Sequence, residues 1–210
     1  MNYKIVQNNP DYNLVISFQG MSGGIFPHSK DKLPYLYYNL FLQSKLKNNY
    51  IFFKDNNQCY YHTFYNDMIK VIQEYISLHK PKKITTIGQS AGGFASLLIG
   101  EMIKANKIIT ISPQINLDWY GFGSQSKQHK RLFNLQGNYD IPHTNLGELH
   151  PLHCPVEYWY PNKEEFDRYH FSFMDKTDPN LKIITFNTGH NIGAGIGKEL
   201  FKNQILKTIS

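Results

Sequence analysis

Ser90 stands between two glycines in Gly88-Gln89-Ser90-Ala91-Gly92, a spacing that suits a serine used as a nucleophile. A free hydroxyl is weakly nucleophilic at neutral pH, so the surrounding geometry and a neighbouring base must activate it. Lys83–Ile87 is rich in β-branched residues and predicts a strand entering the motif, while Gly93–Ile99 predicts a helix leaving it. A turn that tight strains the serine backbone and brings helix close to strand. Gly88 and Gly92 provide the room, helped by Ala91 and Gly93. The turn lifts the hydroxyl above the sheet and aims the Ala91 N–H, at a helix N-terminus, at any oxyanion formed there. A phosphate-cradling loop is excluded, because G-x-x-x-x-G-K-[ST] is absent.

A base and an acid should follow in the order Ser, Asp or Glu, His, each just beyond the carboxyl end of a strand. Of nine histidines, only His190 directly follows a late strand, Ile183–Phe186, and Gly189 before it lets the loop bend back toward Ser90. The acid should follow the penultimate strand, Val156–Tyr160. That leaves Asp167, Glu164 and Glu165, of which Asp167 is the preferred choice; Asp140 comes too early. A second oxyanion donor is expected in the glycine-rich turn after Leu14–Phe18, at the N–H of Met21 or Gly20.

Two other constellations compete. Asp140, His143, His150, His153 and Cys154 are residue types that bind zinc, but their spacing matches no standard site, and Pro142, Pro151 and Pro155 suggest loop geometry, so no metal is expected. The aromatic run Tyr60–Tyr65 could stack on a sugar or a base, although packing against the sheet suits it better.

The elements that must carry these residues alternate. Strands are expected at Tyr3–Val6, Leu14–Phe18, Tyr50–Phe53, Ile84–Ile87, Ile108–Ile111, Val156–Tyr160 and Ile183–Phe186, with helices at Tyr65–His79, Ala91–Ala105, Glu164–Lys176 and Ile192–Thr208. Asn8-Asn9-Pro10-Asp11 is turn chemistry and suggests a hairpin between the first two strands. Alternation of this kind means βαβ units and a mainly parallel sheet covered on both faces. Residues 116–155 break the rhythm and are expected to form a small cap inserted in a single domain spanning 1–210.

At 210 residues, with 41% hydrophobic and 15% aromatic residues, the chain has ample material for a core, which excludes disorder. No apolar run is long enough to span a bilayer, and the first ten residues turn polar too soon for a secretion signal. Two cysteines build no disulfide framework, so a reducing cytoplasm is the expected location. The net charge of +6 invites a nucleic-acid reading, but the chain has two arginines and its lysines are scattered, so no nucleic-acid partner is expected. Nothing in the sequence sets the oligomeric state.

These motifs together resemble the α/β-hydrolase superfamily. More narrowly, the chain is similar to small serine-hydrolase-like proteins of bacterial surface-polysaccharide and accessory-secretion systems, some of them glycan O-acetyltransferases. The matching stretches are Val15–Met21, Ile51–Asp55, Ile87–Gly93, Ile111–Gln114, Asp167–His170 and Gly189–Asn191. The resemblance implies that the Asp of Asp167-Arg168-Tyr169-His170 is the triad acid. No cofactor is expected. Gln89 and Ala91 flank the serine where other members differ, which bears on specificity. The expected activity is that of a serine esterase working through Ser90, His190 and Asp167 on an acylated glycan or a small ester. The alternatives are a glycan O-acetyltransferase with the same triad, and an inactive binding component of such a system.

Overall fold

A computed structural model describes residues 2–9, 12–20, 37–57, 59–117 and 144–210. The strands are β1 (Asn2–Val6), β2 (Leu14–Phe18), β3 (Asn49–Lys54), β4 (Ile84–Gln89), β5 (Lys107–Ile111), β6 (Val156–Pro161) and β7 (Leu181–Phe186). The helices are α1 (Tyr38–Gln43), α2 (Tyr65–His79), α3 (Ala91–Met102), α4 (Glu165–Ser172), α5 (Ile192–Ile196) and α6 (Lys198–Ile209). All seven expected strands are present with ends moved by at most two residues, and α2 has the expected bounds. Of the expected cap, residues 118–143 lie outside the described residues. Its described flanks meet in a bridge between Asn116 and Asn145 and continue into a 3₁₀ turn, Leu146–Leu149.

The sheet runs β1-β3-β2-β4-β5-β6-β7, parallel throughout except for β1, which is antiparallel to β3. The expected hairpin of β1 and β2 is therefore wrong, because β3 lies between them. Asn8 and Asn9 begin a crossover instead. The Asn49 side chain accepts the N–H groups of Asn8 and Asn9 and donates to the Asn9 carbonyl, which ties the end of β1 to β3. The expected last helix is also divided: Gly197, at φ 93°, separates α5 from α6. The short helix α1 was not anticipated.

β2 is buried along its whole length, as a strand covered on both faces must be. Its alternating side chains feed two cores. Leu14, Ile16 and Phe18 pack with Met68 and Ile72 of α2 and with Phe94, Leu97 and Leu98 of α3. Val15 faces the other way and shares a core with Phe41 of α1, Trp159 of β6, and Ile205 and Ile209 of α6. Each of these large side chains contributes about 1.5–3 kcal/mol by leaving water. The result is a three-layer sandwich whose parallel strands all end on the same edge. α3 is further pinned to the sheet by hydroxyls: Thr110 of β5 donates to the Gly93 carbonyl at 2.9 Å, Ser96 of α3 donates to the Ile109 carbonyl of β5 at 3.1 Å, and Thr86 of β4 donates to the Ser96 carbonyl at 2.9 Å.

Candidate active site

Ser90 lies between β4 and α3 at φ 56°, ψ −122°, a conformation that non-glycine residues rarely adopt. Main-chain bonds hold it there. Its N–H donates to the Ile111 carbonyl at 2.9 Å, and its carbonyl accepts the Phe94 N–H at 3.0 Å. The glycines on either side are required sterically: a Cβ on Gly88 would overlap the Gly92 carbonyl, and one on Gly92 would overlap the Phe18 carbonyl. The sharp bend is thus built by strand and helix backbones in direct contact.

The end of β7 brings His190 to this serine. Its Nε2 is 3.1 Å from Ser90 Oγ, and its Nδ1 is 2.7 Å from Asp167 Oδ1. Asp167 sits in the first turn of α4, which follows β6 at the same edge of the sheet. Its carboxylate is almost fully enclosed, with Oδ2 buried and without a hydrogen-bond partner among the described residues. Burial pushes its pKa above the usual carboxylate value. The hydrogen bond and charge of His190 pull the other way, and nearby Glu164 adds to the rise. The His190 ring is partly open to solvent, with Phe166 set edge-on beside it. In this chain of three groups the imidazole can take a proton from the hydroxyl while a buried carboxylate orients it.

Glu164, considered as an alternative acid, has a different position: its Oε1 accepts the His190 main-chain N–H at 3.0 Å. Glu165 is exposed and makes no hydrogen bond to His190. Ser112, at φ 45° just past β5, donates its hydroxyl to the His190 carbonyl at 2.9 Å. The main chain of His190 is therefore held at both of its polar groups. Sequence reasoning found neither support, because both act on backbone atoms, which carry no residue-type signature. The Ser112-Pro113 step after β5 was the available hint.

Around the serine, the Ala91 N–H is the first of α3 and has no preceding turn to bond, which leaves it free for a developing negative charge. Gly20 lies close by, since a Cβ built on it would sit 2.7 Å from the Gln89 carbonyl and 3.6 Å from Ser90 Cβ. Met21 lies outside the described residues. The aromatic run packs inward, and Tyr61 braces the strand end that leads to Gly20. Its hydroxyl donates to the Gln19 carbonyl at 2.6 Å, one residue before that glycine. Tyr61 itself is at φ 69°, its N–H taken up by the Asp55 carboxylate.

The histidines of the rival cluster do not converge. His150 is bound to Asp178, and His153 and the Cys154 N–H are bound to Glu101. Asp140 and His143 lie outside the described residues. No group of three or more His, Cys, Asp or Glu side chains suited to a metal ion occurs among the described residues.

No family model matches the sequence, and no curated protein matches it significantly. Solved structures do match. The capsule O-acetyltransferase of Neisseria meningitidis serogroup A superposes with a TM-score of 0.66 at 20% identity, over 99% of this chain and 89% of that one. Est1E from Butyrivibrio proteoclasticus, with ferulic acid bound, gives 0.64 at 13% identity over 99% and 95%. The chain has the α/β-hydrolase fold. The Glycosylation Associate Protein (Gap123) complex from Streptococcus agalactiae also matches, at a TM-score of 0.60 and 12% identity, over 99% of this chain and 44% of that one. In this α/β-hydrolase fold, Ser90 follows β4, the central strand of seven, and Asp167 and His190 follow β6 and β7. No helix among the described residues is long and apolar enough to cross a membrane.

Proposed function

We propose that this protein is a serine esterase that transfers an acyl group through a covalent intermediate on Ser90, within a single domain spanning 1–210. The reading rests on one observation: Ser90 Oγ, His190 and Asp167 are linked by contacts of 3.1 and 2.7 Å at a strained strand-to-helix bend. His190 Nε2 takes the hydroxyl proton as Oγ attacks the ester carbonyl, and returns it to the departing alkoxide. Asp167 fixes the ring tautomer and offsets the imidazolium charge. The Ala91 N–H and that of Gly20 or Met21 hold the oxyanion. In the second half, water activated by His190 attacks the acyl-serine, and Ser90 is released.

The test is a fluorophosphonate probe applied to the folded protein. Wild type should label, and Ser90→Ala should not. Failure of the folded wild type to label would leave the inactive binding component as the reading. A second acceptor is favoured by the likeness to a protein named as a capsule O-acetyltransferase. With a sugar hydroxyl in place of water, the same intermediate makes a glycan O-acetyltransferase. Faster turnover of an activated acetyl ester on adding saccharide would support that version.

A further inference from the structure

In a parallel sheet, the segments entering the strands gather at the edge opposite the one that carries the catalytic residues. Here that gathering changes the meaning of the lysines. Lys45 and Lys47 precede β3, Lys80, Lys82 and Lys83 precede β4, and Lys104 precedes β5; all are exposed. Scattered along the chain, they share one end of the fold.

Of the acids of that end, Glu74, Glu148 and Asp175 are exposed and are outnumbered by the six lysines, while Glu101, Asp178 and Glu157 are engaged. The buried Glu101 carboxylate accepts the N–H groups of His153 and Cys154, Asp178 accepts the Leu152 N–H and His150, and Glu157 is shared by Lys107 and Lys182. Lysine near a helix C-terminus offsets the helix dipole, which accounts for one per helix. It does not account for three before β4, nor for what accompanies them. Each of α1, α2 and α3 closes on an exposed large apolar residue: Leu42, Leu78 and Met102, exposed by 42%, 76% and 46%. A lysine follows each within three residues. The catalytic edge is different, since Lys163 and Arg168 alternate there with Glu164, Glu165 and Asp167.

We propose that this end docks on an anionic lipid bilayer, with the lysines over the headgroups, Leu42 and Leu78 entering the acyl boundary, and Ser90 facing away from the membrane; the Met102 sulfur is held by the Tyr65 hydroxyl and stays with the protein. Apolar side chains set among lysines are what an interfacial anchor requires. A nucleic-acid surface would favour the planar fork of arginine. The only arginine among the described residues, Arg168, lies on α4 and donates to the carbonyls of Asn162 and Lys163.

Flotation of the full chain with vesicles of phosphatidylcholine, with or without phosphatidylglycerol, tests the proposal. The protein should float only with the anionic vesicles, and added salt should release it. Changing Lys80→Gln, Lys82→Gln and Lys83→Gln together should lower partitioning about a hundredfold, at roughly fivefold per lysine. Leu78→Ser, at an exposed position, should lower it about tenfold, and a thermal melt of each variant verifies folding. Should the triple variant fail to fold, Leu78→Ser and the salt dependence of wild type decide. Equal binding to neutral vesicles, no binding to either kind, unchanged binding by the folded variants, or tighter binding to single-stranded RNA at the same ionic strength would each overturn the proposal.

Discussion

One turn at the start of α4 holds His190 at two points. The Glu164 carboxylate accepts its main-chain N–H at 3.0 Å, and the Asp167 carboxylate, three residues further, meets its ring nitrogen at 2.7 Å. Residues three apart at a helix end share a face, so a single rigid element sets both the place and the tilt of the imidazole. Gly189 makes the approach possible, since a Cβ there would overlap Glu164 Oε1.

Glu164→Ala should therefore slow turnover of an activated ester by about tenfold, equivalent to about 1.4 kcal/mol in the barrier. KM should change little, because the lost contact touches no substrate. Glu164→Gln keeps an acceptor oxygen and should recover most of the rate. An unchanged kcat in the alanine variant would remove Glu164 from the positioning of His190.

Ser112 acts on the other polar group of the same residue. Removing its hydroxyl leaves the His190 carbonyl without that partner, so Ser112→Ala should lower kcat about tenfold and stability by about 1 kcal/mol. Pre-steady-state acylation of Ser90 would locate the defect in the proton-transfer step. A slowed deacylation alone would point elsewhere.

The outline of this site was legible in the residues because its parts have strong local signatures. Gly88 and Gly92 advertise a backbone collision, Ile183–Phe186 announces a strand, and His190 follows it. The pairing of β1 was not legible. Asn8-Asn9-Pro10-Asp11 encodes a turn but not the strand to which the turn leads, and Asn49, forty residues on, decides it. Asp55 and Tyr61 were hidden for a related reason: their link to the Gln19 carbonyl depends on left-handed backbone at Tyr60 and Tyr61, which no side-chain pattern signals. The lysines show the same limit, since their common end follows from strand direction alone.

Asp178 predicts acid sensitivity away from the edge that carries Ser90. Burial alone would raise its pKa, but the Leu152 N–H, His150 and the Asn180 N–H stabilise the carboxylate and outweigh burial, leaving it below the ordinary value of 3.8. A depressed pKa adds stability that is present above that value and lost as pH falls through the folded-state value. Asp178→Ala should cost about 2 kcal/mol at neutral pH, measured by urea unfolding, and the gap should narrow below pH 3.8. A gap independent of pH would show that the carboxylate charge contributes nothing.

Asp167 has the opposite sign, because burial dominates and its pKa is raised above 3.8. The folded state then holds this proton more readily than the unfolded chain. The stabilisation is complete below the unfolded value and disappears as pH rises through the folded one. At neutral pH the ionised, enclosed carboxylate is a net cost to folding, while in the proposed mechanism it is the orienting acceptor at His190 Nδ1. Asp167→Asn separates the two effects. It should raise the melting temperature at neutral pH, by an amount that vanishes on acidification toward pH 3.8, while kcat falls on the order of 10⁴-fold as the ring loses its tautomer preference. Thermal melts across pH and ester turnover of the same preparation measure both. A less stable variant at neutral pH would mean that the bond to His190 outweighs the burial of the charge, reversing the sign assigned here.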